Sequence, residues 1–244
     1  RGTGVRGHCC ILAGMLDPGK IKAVTIDLDD TLWPIWPTIE RAEKALHDWL
    51  NEHAPMTAAL FANPAALRDI RAEMTTSRPD LKHDMSALRR ESIRLALYRA
   101  GEDPLKAEPA FEVFFAERQR VDLFDDALPA LEFLAERFPV VALSNGNADI
   151  TRVGLAQFFR ASISAREFGV GKPDPRIFHA AAGAVDTLPE GVLHIGDDAT
   201  LDALGALNAG MQAAWLNRGD ALWPHEQEPH VTLTHLGELR DLLA

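Results

Sequence analysis

Ile21-Lys22-Ala23-Val24-Thr25-Ile26 runs directly into Asp27-Leu28-Asp29-Asp30-Thr31-Leu32. The first six residues carry the β-branched and apolar character of a short strand, and the carboxylates that follow cannot continue it. In an open α/β sheet, ligands bind outside the carboxyl ends of the strands. A strand that stops on acids therefore marks both a sheet and a site.

Three further runs repeat the pattern: Val140–Leu143, Val192–Ile195 and Met211–Leu216. Weaker candidates are Ala161–Ser164 and Val231–Leu233. Helical spacing separates them, with Leu128, Leu131 and Leu134 in one segment and Leu201, Leu204 and Leu207 in another, the latter stopped by Gly210. This alternation predicts an α/β fold: a Rossmann-like parallel sheet with helices on both faces. Residues 34–121 contain no convincing strand. Helices are expected near 38–53, 64–77, 84–100 and 107–120, broken at Pro55, Pro64, Pro79 and Pro104. The chain thus divides into a core of 15–33 and 122–244 and an inserted all-helical cap domain of 34–121.

Four segments carry chemistry. They are Asp27–Leu32, Ser144-Asn145-Gly146-Asn147 after the second strand, Gly171-Lys172-Pro173-Asp174 at the opening of a helix, and Gly196–Asp202 after the third strong strand. Their convergence would crowd Asp27, Asp29 and Asp197, with Asp198 and Asp202 nearby, into one crevice. Like charges and burial raise each other's pKa, so such a cluster stays ionised only around a cation. Carboxylates without Cys or His nearby are hard oxygen ligands and favour magnesium. The cation and Lys172 would turn the crevice into a phosphate site, which matters in a chain of net charge -11. Ser144 can donate its hydroxyl, the amides near Asn145 and Gly146 are expected to lead into a helix N-terminus, and Pro173 is expected at an early helical position.

These segments, in this order, resemble the four motifs of the haloacid dehalogenase-like hydrolase superfamily, over residues about 21 to 217. The helical insertion resembles that family's type-one cap. The resemblance implies that Asp27 attacks phosphorus to form an aspartyl-phosphate and that Asp29 protonates the leaving alcohol and then deprotonates water. It implies that Ser144 and Lys172 hold the phosphoryl oxygens, that Asp27, Asp197 and the Asp29 main-chain carbonyl bind magnesium, and that Asp202 orients Lys172 or a metal-bound water. Thr31, Asn145, Gly146 and Arg90 are expected to contact substrate. Dehalogenases of this fold lack an acid two residues after the nucleophile and need no metal, so Asp29 points to phosphoryl chemistry. Leu28–Trp33, Leu143–Ala148, His194–Asp198 and Gly210–Trp215 are similar to a bacterial branch associated with 5-amino-6-(5-phospho-D-ribitylamino)uracil, flavin mononucleotide and sugar phosphates.

Competing readings remain at several positions. Asp197 is also a reasonable helix cap, and Asp202 a first-turn acid. Arg90 and Arg94 share a face that equally suits a solvated pairing with Glu91. Trp33 and Trp36 suit either a substrate ring or the hinge between core and cap, and His194 reads as core. A dehalogenase, a phosphosugar mutase and a non-catalytic phospho-ligand binder stay open beside the phosphatase.

The acidic balance, without a Lys/Arg cluster, argues against a nucleic-acid surface, and no apolar run is long enough to span a bilayer. The expected partner is a small-molecule phosphate ester, and the expected state is a cytoplasmic monomer or homodimer. Cys9 and Cys10 are the only cysteines and read as free thiols; residues 1–14 read as a disordered tail.

Overall fold

The computed structural model describes residues 14–62 and 64–244. The expected tail, with Cys9 and Cys10, lies outside them apart from Gly14.

Six strands form one parallel sheet: β1 (Ala23–Ile26), β2 (Val140–Ser144), β3 (Ala161–Ser164), β4 (Val192–Gly196), β5 (Gln212–Leu216) and β6 (Val231–Leu233), in the order β3-β2-β1-β4-β5-β6. The four strands with strong sequence signals are central and wholly buried. The two weak ones are the edges, where partial exposure removes the demand for a continuous apolar run. The chain fills one side of β1 with β2 and β3 and the other with β4, β5 and β6. The strand order therefore reverses at β1, and the crevice opens beside its carboxyl end. The Asp27 amide still donates to Ile195 O at 2.9 Å, so the sheet itself holds the first residue of the site.

Side chains alternate across the sheet. Val24, Ile26, Val140, Ala142, Leu193 and Ile195 pack on one face beneath Leu131 and Leu134. Val141, Leu143 and Trp215 pack on the other with Ile177, Phe178, Ala203 and Ala206. The leucine pattern at 201, 204 and 207 is only half-buried. The buried stripe of that segment is Asp202, Ala203 and Ala206, and it begins as a π-helical turn, Ala199–Leu204. Gly210 ends it at φ +79°, a conformation that favours glycine.

The inserted segment holds α1 (Ile35–His53), α2 (Pro55–Leu60), α3 (Pro64–Ser77), α4 (Met85–Arg99) and α5 (Ala107–Arg118). Its separate core includes Leu46, Leu50, Leu97, Phe111 and Phe114, each worth about 1.5–3 kcal/mol on burial. Helix α2 was not expected. Pro55 does not merely separate helices: it occupies the first turn of one, where a missing N–H costs nothing. Among the described residues no helix is long and apolar enough to cross a membrane.

Candidate active site

β1, β2, β4 and the loop before Pro175–Gly183 deliver Asp27, Ser144, Asp197 and Lys172 to one edge of the sheet. Lys172 is the hub. Its Nζ lies 2.5 Å from Asp27 Oδ1 and 2.5 Å from Asp202 Oδ1, and all three side chains are almost fully buried. The Lys172 main chain is clamped by Asn145, whose Oδ1 accepts from Lys172 N at 2.7 Å and whose Nδ2 donates to Lys172 O at 2.9 Å. A Cβ on Gly171 would come within 2.6 Å of Asn145 Oδ1, so a glycine is required for the clamp.

The electrostatics show why a single lysine does not balance this site. Burial drives the Asp27 carboxyl well above its ordinary range against the pull of Lys172, and Asp202 and Asp197 raise it further. Burial, reinforced by Asp202, pushes Asp197 up to about 7. Burial alone would lower Lys172, but Asp202 and Asp27 outweigh it and keep the ammonium charged. Asp202 goes the other way: burial raises it, while Lys172 and His194 hold it below the usual carboxylate range. Burial lowers His194, leaving the ring neutral. Since the Asp202 carboxylate can only accept, His194 Nε2–H donates to Oδ1 at 3.1 Å, and Nδ1 accepts from Thr25 Oγ1 at 2.8 Å.

Asp27, Asp197 and Asp202 each offer an oxygen within 4.8 Å of the others. Asp202 is already engaged on both oxygens, by Lys172 and His194 at Oδ1 and by the Asp198 amide at Oδ2. Asp27 and Asp197 are thus the pair with coordination to spare. Two crowded carboxylates that burial drives toward neutrality are a fit for a hard divalent cation.

Ser144 Oγ accepts from the Gly146 amide at 2.9 Å, which leaves its hydroxyl proton free to donate. The helix expected after Gly146 begins only at Ile150, is one turn long, and is capped by Asp149, so it contributes no N-terminus at Asn145 and Gly146. Pro173 likewise precedes its helix. Asp174 is the cap and Pro175 occupies the first turn.

Several expected roles change. Thr31 is fully buried and donates its hydroxyl to Asp197 Oδ1 at 3.0 Å, so it orients a carboxylate rather than meeting substrate. Asn145 spends its side chain on Lys172. Arg90 pairs with Glu108 at 2.9 Å and lies 3.8 Å above the Phe111 ring, within the cap. Arg94 pairs with Glu91. Asp198, not Asp197, caps the following helix, accepting from the Thr200 and Leu201 amides. Asp30 has φ +57° and accepts from the Ile35 amide at the start of α1.

Asp29 reveals what sequence reasoning missed. Arg118, the last residue of α5, places Nη2 2.7 Å from each of its oxygens, and Trp33 Nε1 donates to Oδ1 at 2.8 Å. Trp33 is fully buried, while Trp36 is exposed. Arg118 stands 89 residues from Asp29, within Glu117-Arg118-Gln119-Arg120, which reads as a solvated helix end. Arg89, the neighbour of Arg90, also lines the site and is not on a solvated face. It is buried against Glu43 at 3.4 Å and over Phe114 at 4.0 Å. A cavity of about 290 Å³ between cap and core is bounded by Asp29, Arg118, Arg89, Asn145 and Gly146. A neighbouring cavity of about 380 Å³ is bounded by Lys172, Asn145, His83 and Met85.

Comparison with known proteins agrees with this geometry. Residues 21–210 match the model of the haloacid dehalogenase-like hydrolase family. The chain is 33% identical to the 5-amino-6-(5-phospho-D-ribitylamino)uracil phosphatase YigB of Escherichia coli, over 92% of this chain and 97% of that protein. It is 37% identical to a phosphoserine phosphatase of Thermus thermophilus over 63% of each chain. The crystal structure of a 2-haloacid dehalogenase from Pseudomonas syringae is similar with a TM-score of 0.85 and 39% identity, covering 91% of this chain and 98% of that one. With the motif residues gathered at one sheet edge beneath a helical insertion, the chain belongs to the haloacid dehalogenase-like hydrolases.

Proposed function

We propose that this enzyme is a magnesium-dependent phosphatase that hydrolyses small phosphate monoesters through an aspartyl-phosphate on Asp27. The observation that carries the reading is the Lys172 ammonium shared between Asp27 and Asp202, with Asp197 alongside. Asp27 and Asp197, with the main-chain carbonyl of Asp29, would hold the cation, which supplies charge neutralisation for an incoming dianion. Asp27 forms the new bond to phosphorus. The ester P–O bond breaks, its electron pair stays on the leaving oxygen, and that oxygen takes a proton from Asp29. Lys172 and the Ser144 hydroxyl hold the phosphoryl oxygens as charge shifts among them. Water then attacks phosphorus, Asp29 takes its proton, and Asp27 is released. The proton given up in one turnover is thus recovered from water in the same cycle. The cap excludes bulk water and meets the leaving group.

The similarity to YigB along nearly the whole chain supports 5-amino-6-(5-phospho-D-ribitylamino)uracil as a substrate, with flavin mononucleotide and sugar phosphates as further members of the class. The test is turnover of p-nitrophenyl phosphate and of this panel with added magnesium. Asp27→Asn should stay folded and lose turnover, and excess EDTA should abolish it. Near wild-type activity in Asp27→Asn would remove the nucleophile assignment.

The likeness to the Pseudomonas syringae structure favours a second reading, dehalogenation. Halide release from a 2-haloacid that survives EDTA would select it. An acid at position 29, held by two side chains, weighs for phosphoryl transfer.

A further inference from the structure

Arg118 is one of the largest fully buried side chains of the protein. Nη2 is used twice on Asp29, whereas Nη1 is buried with no hydrogen-bond partner among the described residues. A buried donor left unmade costs about 1–3 kcal/mol. An arginine serving only to fill the junction of cap and core has no need to concentrate its donors on one carboxylate. This one accepts an unmade bond and keeps both contacts to a single carboxylate.

Those contacts are asymmetric. Oδ1 of Asp29 receives both Trp33 Nε1 and Arg118 Nη2, and Oδ2 receives Arg118 alone. Oδ2 also faces the phosphoryl corner. A Cβ built on Gly146 would lie 2.4 Å from Oδ2, 3.2 Å from Ser144 Oγ and 3.5 Å from Arg118 Nη2. Three functional atoms therefore converge over one glycine. Gln119, next in the chain, seats the end of α5 on the core: its Oε1 accepts from the Asp149 amide at 2.7 Å and its Nε2 donates to Asn147 O at 3.3 Å.

We propose that Arg118 is the positioning residue for Asp29: it bridges both oxygens while Trp33 adds a second donor to Oδ1, which fixes the carboxyl plane and makes Oδ2, the less engaged oxygen, the one that exchanges the proton with the leaving group. The inference rests on the proton-transfer reading of Asp29 given above. Because Arg118 belongs to the cap and Asp29 to the core, the acid is set in place only when α5 is seated.

The test uses kcat/KM, which reports steps up to departure of the leaving group. Glycerol phosphate needs its alkoxide protonated; 2,4-dinitrophenyl phosphate releases a stable phenolate that does not. Arg118→Met should lower kcat/KM for glycerol phosphate on the order of 100-fold and for the dinitrophenyl ester less than about fivefold, in line with the usual worth of general-acid catalysis. Arg118→Lys, which retains charge and fills the site if the methionine variant folds poorly, should show the same selectivity with smaller losses. Asp29→Asn is measured in parallel. Equal losses on both esters in the Arg118 variants, with a leaving-group-dependent loss in Asp29→Asn, overturn the positioning role alone. Equal losses in Asp29→Asn as well overturn the acid reading and the positioning role with it.

Discussion

Asp202 Oδ1 receives the Lys172 ammonium at 2.5 Å and His194 Nε2 at 3.1 Å, all within the buried base of the site. A charged anchor beneath the lysine aims it at Asp27 rather than at solvent. Asp202→Asn is expected to leave the Asp27–Lys172 contact as the only ionic restraint on Lys172. Turnover should fall on the order of 100-fold, the usual worth of a misplaced transition-state donor. Steady-state kinetics on p-nitrophenyl phosphate with a parallel melting curve measure this; unchanged kcat would mean that Lys172 needs no anchor.

Gly146→Ala probes the same site sterically. The new methyl group would contact Asp29 Oδ2 and Ser144 Oγ, both side-chain atoms, and no backbone clash accompanies them. Asp29 must swing away from the phosphoryl corner, so kcat/KM for an alkyl phosphate should drop at least tenfold, about 1.4 kcal/mol. The melting temperature should fall as well, because moving Asp29 loosens its contacts with buried Arg118 and Trp33. A large loss of stability with intact activity would contradict the placement of Oδ2.

Arg90→Ala and Arg89→Ala should separate two adjacent arginines. Arg90 lies on the cap surface against Glu108 and Glu112, so its loss should leave kcat/KM within twofold and cost less than about 1 kcal/mol. Arg89 is buried over Phe114 and against Glu43, a carboxylate that Arg71 also meets at 3.7 Å, so losing Arg89 should cost about 2–3 kcal/mol through lost packing and a pair only partly replaced. Urea denaturation of both variants decides it.

Asp126 supports the site from behind. Its carboxylate takes both Arg218 nitrogens at 2.8 and 2.9 Å and the Leu236 amide at 2.8 Å, and Arg218 in turn donates to Thr31 O at 3.0 Å. Burial alone would raise Asp126, but Arg218 and the Leu236 amide outweigh it and hold the carboxyl below its ordinary value. A carboxyl depressed in the folded state adds stability above the unfolded-chain pKa near about 3.9 and loses it as pH falls through the lower folded value. The stability gap between the wild type and Asp126→Asn should therefore be full at neutral pH and close under acid. Denaturant midpoints at pH 7 and in the acid limb test the sign.

Much of this was legible in the sequence because strand ends announce themselves. An apolar β run must stop where Asp27, Ser144 or Asp197 begins, and the parallel sheet leaves those ends on one side. The edge strands were fainter because partial exposure relaxes their composition. Roles set by tertiary contact were not legible. Arg118 and Arg90 are both helical arginines beside glutamates, and only packing puts one on Asp29 and the other on Phe111. Thr31 follows the acids directly, yet the turn points its hydroxyl at Asp197. Pro55 and Pro175 begin helices whereas Pro173 precedes one, a distinction that one-residue shifts in a local pattern do not resolve.

The central claim is that Asp27 becomes phosphorylated. Enzyme mixed with magnesium and a phosphate ester, quenched in acid, reduced with borohydride and digested should yield a peptide carrying homoserine in place of Asp27, and none when the ester is omitted. Homoserine at another aspartate, or unmodified Asp27 in enzyme quenched during rapid turnover, would contradict the account.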